Sequence, residues 1–178
     1  MCGDRIREER FSATYYLQSI RAMVMAPGDF LEGVREPSGI MRSLGFLLVS
    51  SLIHAVFSLS LLPPRPLLTA FILFLNALAM PLIAAAIGWV LMAAMRRRSP
   101  LSKVFAVYAF SSGTTHLVSW IPLAVWITEP WRWILVGIGI VRGCGLSRLQ
   151  AGVVIIVSIL AIMLLFSLLS PLLVGLKA

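Results

Sequence analysis

The chain alternates between long uncharged, apolar stretches and short segments that contain proline or basic residues. Five of the apolar stretches are candidates for membrane crossing, since a helix needs about 20 apolar residues to span a bilayer. They cover residues 44–62, 67–95, 104–122, 127–143 and 151–176. The fourth is the shortest. Its continuous apolar part is residues 131–141, and Arg132 is the one charged residue within that part. The pattern predicts an all-α, polytopic transmembrane helical bundle of about five spans.

The segment before the first span, residues 1–43, is mixed in polarity and is expected to be cytoplasmic. Its apolar residues lie roughly on one side of a helix: Phe11, Tyr15, Ile20, Met23 and Val24. A helix of this kind either lies in the membrane interface or packs against the bundle, and the pattern fits both. A second short helix is expected after Pro27, because proline is favoured in the first helical turn and Asp29 and Glu32 are favoured near the positive end of its dipole.

The composition excludes a soluble globular protein. Of the 178 residues, 60% are hydrophobic and 12% are charged, and the mean hydropathy is +0.97. Soluble domains have about 45–50% apolar and about 25% charged residues. The net charge of +8 comes from basic residues between the apolar stretches, where they set membrane topology. We therefore expect no nucleic-acid partner.

The distribution of basic residues predicts the orientation, because the cytoplasmic side of a membrane protein has the excess of Lys and Arg. One side of the predicted spans has eight: Arg35, Arg42, Arg96, Arg97, Arg98, Lys103, Arg142 and Arg148. The other side has three: Arg65, Arg132 and Lys177. We expect an inner-membrane protein with a cytoplasmic amino terminus and, after five crossings, an external carboxyl terminus.

Three polar side chains are predicted to form a cluster near the membrane midplane: His54, Asn76 and His116. Counted along their helices, the two histidines lie roughly 15 to 18 Å from the cytoplasmic side, and Asn76 reaches a similar depth. Such a cluster could simply hold helices together by hydrogen bonds. It could also serve a small transporter or channel, or a bis-histidine haem site in an electron carrier.

The sequence contains none of the usual patterns of an enzyme. No nucleotide-binding glycine loop, nucleophile elbow or paired intramembrane carboxylate occurs in it. Two cysteines, Cys2 and Cys144, form neither a disulfide framework nor a four-ligand metal site. We expect no catalytic residues, no metal and no cofactor.

The most basic segment of the chain is a candidate lipid-binding site. It comprises Arg96, Arg97, Arg98 and Lys103, with no acidic residue among them. Each cation at the membrane surface attracts anionic lipid headgroups by on the order of 1 kcal/mol. The same charges also fix topology, and both roles follow from a cytoplasmic position.

The order of these features resembles the small five-pass membrane proteins with a Ypt-interacting protein (Yip) domain. Residues 26–34 (APGDFLEGV) look like the cytoplasmic helix that precedes the first span in that family. Residues 105–112 (FAVYAFSS) resemble its third-span start, and residues 119–122 (SWIP) its proline-bearing exit. Residues 133–151 look like its fourth span and the following short turn.

Two positions depart from this family pattern. Residues 113–115 (GTT) stand where the family often has a proline, and Cys144 stands where it often has a histidine. The short region before the first span is similar to that of the prokaryotic members. The resemblance implies a membrane protein without catalytic residues.

The sequence as a whole predicts a non-catalytic membrane scaffold or an accessory subunit of a membrane protein complex. Its expected partners are the lipid bilayer, anionic lipids and either other membrane subunits or further copies of itself. A small transporter or channel is the alternative, and a haem-binding electron carrier is a third hypothesis.

Overall fold

The computed structural model describes residues 11–34, 38–61, 66–97 and 99–175 of the chain. The described secondary structure is helical, as predicted. The helices are α1 (Ala13–Met25), α2 (Pro27–Gly33), α3 (Ser38–Ser58), α4 (Pro66–Ala94), α5 (Leu101–Ser119), α6 (Val125–Cys144) and α7 (Arg148–Gly175), with a turn of 3-10 helix at Leu59–Leu61.

Local sequence explains several of the helix ends. The Ser12 side chain accepts a hydrogen bond from the Tyr15 amide at 3.1 Å and caps α1. Gly145 adopts φ 69°, the left-handed conformation in which glycine commonly ends a helix, and so terminates α6. Ser147 and Gln150 then form a reciprocal capping box, with bonds of 3.2 and 3.3 Å, at the start of α7.

Three helices are long and apolar enough to cross a membrane: α3 with its 3-10 extension (Ile40–Leu61), α4 (Pro66–Ala94) and the first part of α7 (Arg148–Leu165). The other two long helices, α5 and α6, have 19 and 20 residues and therefore measure about 28 to 30 Å, which is also the thickness of a bilayer core. They are more polar than the other three. The predicted number of five spans thus depends on α5 and α6.

The directions of the long helices follow from their contacts. Aromatic rings of α3 and α5 pair in rising order along both helices, with Phe46 against Phe110 at 5.0 Å and Phe57 against Trp120 at 5.2 Å between ring centroids. These two helices are therefore parallel.

α6 runs in the opposite direction to α5. A Cβ atom on Gly139 would lie 2.5 Å from Val107 Cγ1, and one on Gly143 would lie 3.7 Å from Lys103 Cε, so the residue numbers run in opposite directions. Short connections also join α4 to α5 and α6 to α7, and short connections favour antiparallel neighbours. The five long helices consequently alternate in direction.

The centre of the bundle is α5. Val104 and every residue from 106 to 116 are buried, and α5 contacts α1, α3, α4 and α6. A helix that is buried on all sides needs no apolar outer face, since its polar groups meet protein rather than lipid. This position explains why α5 is long enough to cross a bilayer without being as apolar as α4 or α7.

The amino-terminal helices pack against this bundle rather than standing apart from it. The Tyr16 hydroxyl lies 2.9 Å from Ser50 Oγ on α3, and the Phe30 ring meets Phe110 edge-on at 4.9 Å. The buried residues of α1 are Tyr16, Ser19 and Met23. Val24, which was predicted to lie on the same face as these residues, is exposed. The side of α1 that packs against α3 is the one that contains Tyr16.

The acidic residues of α2 face a basic residue of α6. Asp29 and Glu32 each lie 3.6 Å from an Arg142 guanidinium nitrogen, and all three side chains are more than half exposed. Exposed ion pairs contribute at most about 1 kcal/mol. The pairs therefore orient α2 on α6, while the buried Leu31 supplies the apolar contact.

Candidate functional site

The structure brings the two predicted histidines together between α3 and α5. The centroids of the His54 and His116 rings lie 5.5 Å apart, with their planes inclined by 35°. His54 Nδ1 is 3.2 Å from Ser119 Oγ, and that hydroxyl is also 3.4 Å from the carbonyl oxygen of His116. We call His54, His116 and Ser119 the histidine cluster.

Ser119 is a member of this cluster that sequence reasoning missed. It follows His116 by three residues, a spacing that places two side chains on one face of a helix. That spacing was the available signal. Within the cluster, His116 is buried, and its Nδ1 atom has no hydrogen-bond partner among the described residues.

Two aromatic pairs join α3 and α5 on either side of the histidine cluster along the chain. Phe46 and Phe110 precede the two histidines by about two turns, with their ring centroids 5.0 Å apart, and Phe57 and Trp120 follow them by about one turn, at 5.2 Å. The histidine cluster is therefore one level of a longer α3–α5 interface that is aromatic on both sides of it along the helices.

The third predicted member, Asn76, lies elsewhere. Its side chain is exposed on the outer face of α4, and within the described residues it hydrogen-bonds to neither histidine. On the same helix, Ala77 faces the interior instead. Because successive residues of a helix point about 100° apart, equal depth in the membrane did not imply a shared face.

Several hydroxyls extend the polar interior along α3 and α5. Thr114 and Thr115 donate to carbonyl oxygens of their own helix, at 2.8 and 2.9 Å. Ser51 Oγ and Ser111 Oγ are buried and have no hydrogen-bond partner within the described part of the chain. Groups of this kind are normally satisfied by protein or by internal water.

A second polar site lies between α4, α5, α6 and α7. Arg132 and Glu129 form an ion pair of 2.7 Å, and the Arg132 side chain is only 20% exposed. Its guanidinium carbon lies 5.0 Å from the centroid of the Trp133 ring. Together with Tyr108 and Ser112, Arg132 lines a cavity of about 10 Å³, which has room for about one water molecule.

Arg132, which belongs to the predicted fourth span (127–143) and to the three basic residues expected on its external side, lies within a helix. α6 begins at Val125 and continues through Pro130, so Arg132 is in its third turn. In the sequence, Glu129 and Pro130 interrupt the apolar stretch just before Arg132, although Val125, Trp126 and Ile127 ahead of them are apolar. The ion pair and the ring contact compensate for the buried charge.

The predicted lipid-binding residues lie at the junction of α4 and α5. Arg96 adopts φ 58°, and the amides of Arg96 and Arg97 donate to the carbonyls of Ala93 and Met92 at 2.9 and 3.0 Å. This is a Schellman motif with arginine where glycine is common. Arg96 and Arg97 are exposed and Lys103 is half-buried, while Arg98 lies outside the described residues.

Comparison with known proteins adds no assignment. No protein-family model, curated protein or solved structure matches this chain. Within the described residues, no group of three or more His, Cys, Asp or Glu side chains could hold a metal ion.

Proposed function

We propose that this protein is a five-pass membrane scaffold or accessory subunit, without catalytic activity, that binds other transmembrane helices in its membrane. The observation that supports this most is the position of Asn76. It is exposed on α4, on a face that also exposes Ile72 and Leu75. From the start of α4 it is ten residues, or about 15 Å, into the helix, near the middle of a bilayer core.

An amide at this depth favours a protein partner over lipid. Acyl chains offer no hydrogen bonds, so polar groups in the hydrocarbon layer are satisfied by other helices. Asn side chains join transmembrane helices with about 0.6 to 2 kcal/mol per hydrogen bond. The small residue Ala79, one turn further along the same face, allows a second helix to approach. The partner is another membrane subunit or a second copy of the chain.

Five crossings and the predicted orientation belong to the same proposal. The alternating directions of the long helices and the lengths of α5 and α6 support five passes, in addition to the three helices that qualify by composition. The excess of basic residues supports a cytoplasmic amino terminus, an external carboxyl terminus and an inner-membrane location. The exposed Arg96 and Arg97 then face anionic headgroups.

Membership of the Yip-type membrane proteins is also part of the proposal. It is supported by the order of the elements: a short helix over the 26–34 motif, followed by long helices of alternating direction. The α2 helix packs beneath α5 and α6 through Phe30 and Leu31, two residues of that motif. The role implied is again one of binding within the membrane.

Transport is the second candidate, favoured by the unpartnered His116 Nδ1 and by the buried hydroxyls of Ser51 and Ser111. Polar atoms in a membrane interior are where a proton relay would be built. Substituting His54 and His116 by leucine should abolish proton flux into vesicles that contain the purified protein. Flux equal to that of the unsubstituted protein would exclude this candidate.

The scaffold proposal is tested by Asn76→Leu, with Asn76→Gln as the matched control. The protein is extracted gently from its own membrane, and native mass spectrometry identifies every associated chain. We expect stoichiometric partner chains or a dimer with the natural sequence and with Asn76→Gln, and loss of this association with Asn76→Leu. Identical masses for all three proteins would contradict the proposal.

A further inference from the structure

A lateral groove lies between α6 and α7 and has a volume of about 870 Å³. Its walls are apolar, and they include Ile134 and Ile138 from α6 and Ile155 from α7. Residues 25–28, at the junction of α1 and α2, close it at the cytoplasmic end. We define this cavity as the α6–α7 groove.

Small residues create the groove. A Cβ on Gly137 would lie 3.1 Å from Ile155 Cδ1, so α6 and α7 touch at this point. A Cβ on Gly152, one turn closer to the cytoplasmic end, would meet no atom within 4 Å. The helices are in contact at one level and leave open space at the next, where a bulky side chain would fill the groove.

The charges lie at one end only. Arg142 and Arg148 line the cytoplasmic end, next to Asp29, whereas Trp133 lies at the deep end. Arg142 forms ion pairs with Asp29 and Glu32, with nitrogen–oxygen distances of 3.6 Å in each pair. Arg148 is exposed and has no ion pair within the described residues. One cation is thus available for an anionic group at this level.

The wall along α6 is long enough for part of an acyl chain. From Trp133 to Arg142 is nine residues, or about 13 Å of helix, which is nearly the depth of one membrane leaflet. An apolar groove of this length with cations at its cytoplasmic end matches a phospholipid, which has a long apolar chain and a phosphate at the interface. Arginine binds phosphate through paired N–H donors.

We propose that the α6–α7 groove binds one anionic phospholipid of the cytoplasmic leaflet, with an acyl chain between the two helices and its phosphate at Arg148 and Arg142. This site is distinct from the Arg96 and Arg97 surface, which attracts headgroups without an apolar groove. It is also independent of the Asn76 face of α4.

The experiment measures lipid retained by the purified protein. The full chain is equilibrated in mixed micelles that contain phosphatidylglycerol or phosphatidylcholine with the same acyl chains, and native mass spectrometry counts the lipids bound. We expect one phosphatidylglycerol per chain to be retained under conditions that remove phosphatidylcholine. Equal retention of the two lipids would overturn the proposal, because it indicates nonspecific binding at the membrane-facing surface.

Two substitutions test the position of the lipid. Gly152→Trp fills the groove and should reduce retention of phosphatidylglycerol to the level of phosphatidylcholine. Val153→Trp is the control, since Val153 is exposed on α7 and does not line the groove. Unchanged retention of phosphatidylglycerol with Gly152→Trp would overturn the proposal. The proposal would also be overturned if Gly152→Trp displaced a bound protein chain rather than a lipid.

A change of charge tests the headgroup. Arg148→Gln should weaken the preference for phosphatidylglycerol about fivefold, the effect of one cation at the membrane surface. Arg97→Gln removes the same charge from the other loop and should leave the tightly retained lipid in place. If the Gly152→Trp protein fails to fold, the Arg148→Gln protein still tests the position of the lipid. An equal effect of both arginine substitutions would contradict a headgroup site at Arg148.

Asn76→Leu separates this site from the proposed scaffold function. It should abolish the association of the chain with other helices and leave the retained phosphatidylglycerol unchanged. Loss of the lipid together with the partner would place the lipid at the helix–helix interface and overturn the groove site.

Discussion

The helices α5 and α7 run in the same direction through the bundle but meet opposite surroundings. Residues 106–116 of α5 are all buried, and they include Ser111, Ser112, Thr114, Thr115 and His116. In the apolar window of α7, only 17% of residues are buried, and leucine, isoleucine and valine predominate. Among the described helices, the polar α5 is thus buried, whereas the window of α7, which is as apolar as that of α4, is the least buried of the three apolar windows.

The difference indicates which solvent each helix meets. A helix in contact with acyl chains must present apolar side chains on its outer face, whereas a central helix needs only neighbours that pack and form hydrogen bonds. Hydropathy therefore identifies the outer helices of a small bundle and underestimates its centre. Substitutions in α5 and its contacts should therefore have larger effects than substitutions on the exposed faces of α4 and α7.

The largest effect is expected from removing an aromatic ring at the centre. Phe110 on α5 is fully buried between the rings of Phe30 and Phe46. Phe110→Ala should lower the free energy of unfolding by about 3 to 5 kcal/mol, because the neighbouring rings cannot refill the cavity. Phe71→Ala, on the exposed face of α4, should change it by less than about 0.5 kcal/mol. Reversible unfolding in detergent measures both, and similar losses would contradict a packed centre.

The next largest effect is expected from adding volume. A Cβ on Gly113 of α5 would lie 2.7 Å from the buried Phe46 ring, so Gly113→Leu should destabilise the protein by about 1 to 3 kcal/mol or more. Gly152→Leu on α7 meets open space and should be neutral or slightly stabilising, since leucine favours a helix more than glycine does. If Gly152→Leu proved the more damaging, the exposed position of α7 would be wrong.

A smaller effect is expected within the histidine cluster. His54→Leu and Ser119→Ala, combined in a double-mutant cycle, should give a coupling energy of about 0.6 to 1.7 kcal/mol, because one hydrogen bond of 3.2 Å joins the two side chains. Pairing His54→Leu with Ser58→Ala provides the control, since the Ser58 hydroxyl donates to the His54 carbonyl oxygen and not to its ring. Coupling of zero for His54 and Ser119 would show that their contact contributes nothing.

The sequence predicts the all-α architecture and most of the long helices because apolar length and breaks in it are local properties. The sequence could not predict whether Asn76 points into the bundle or outward from α4. A helix that is apolar on every side has no amphipathic pattern that shows which side is buried. The start of α6 was less predictable, because Glu129 and Pro130 interrupt the apolar pattern although the helix begins before them, at Val125. The pair of histidines was found because its members share a depth, and Ser119 completes it through a three-residue spacing.

The central claim, that α5 and α6 cross the membrane together with the three helices that are long and apolar enough to do so, is tested most directly by cysteine accessibility. Single cysteines are introduced as Arg97→Cys, Pro122→Cys and Ser147→Cys, all at exposed positions, in a chain whose Cys2 and Cys144 are changed to serine. A membrane-impermeant maleimide is then added to intact cells and to permeabilised cells. We expect labelling at position 122 in intact cells, and at positions 97 and 147 only after permeabilisation. Labelling of all three positions from one side would contradict the account.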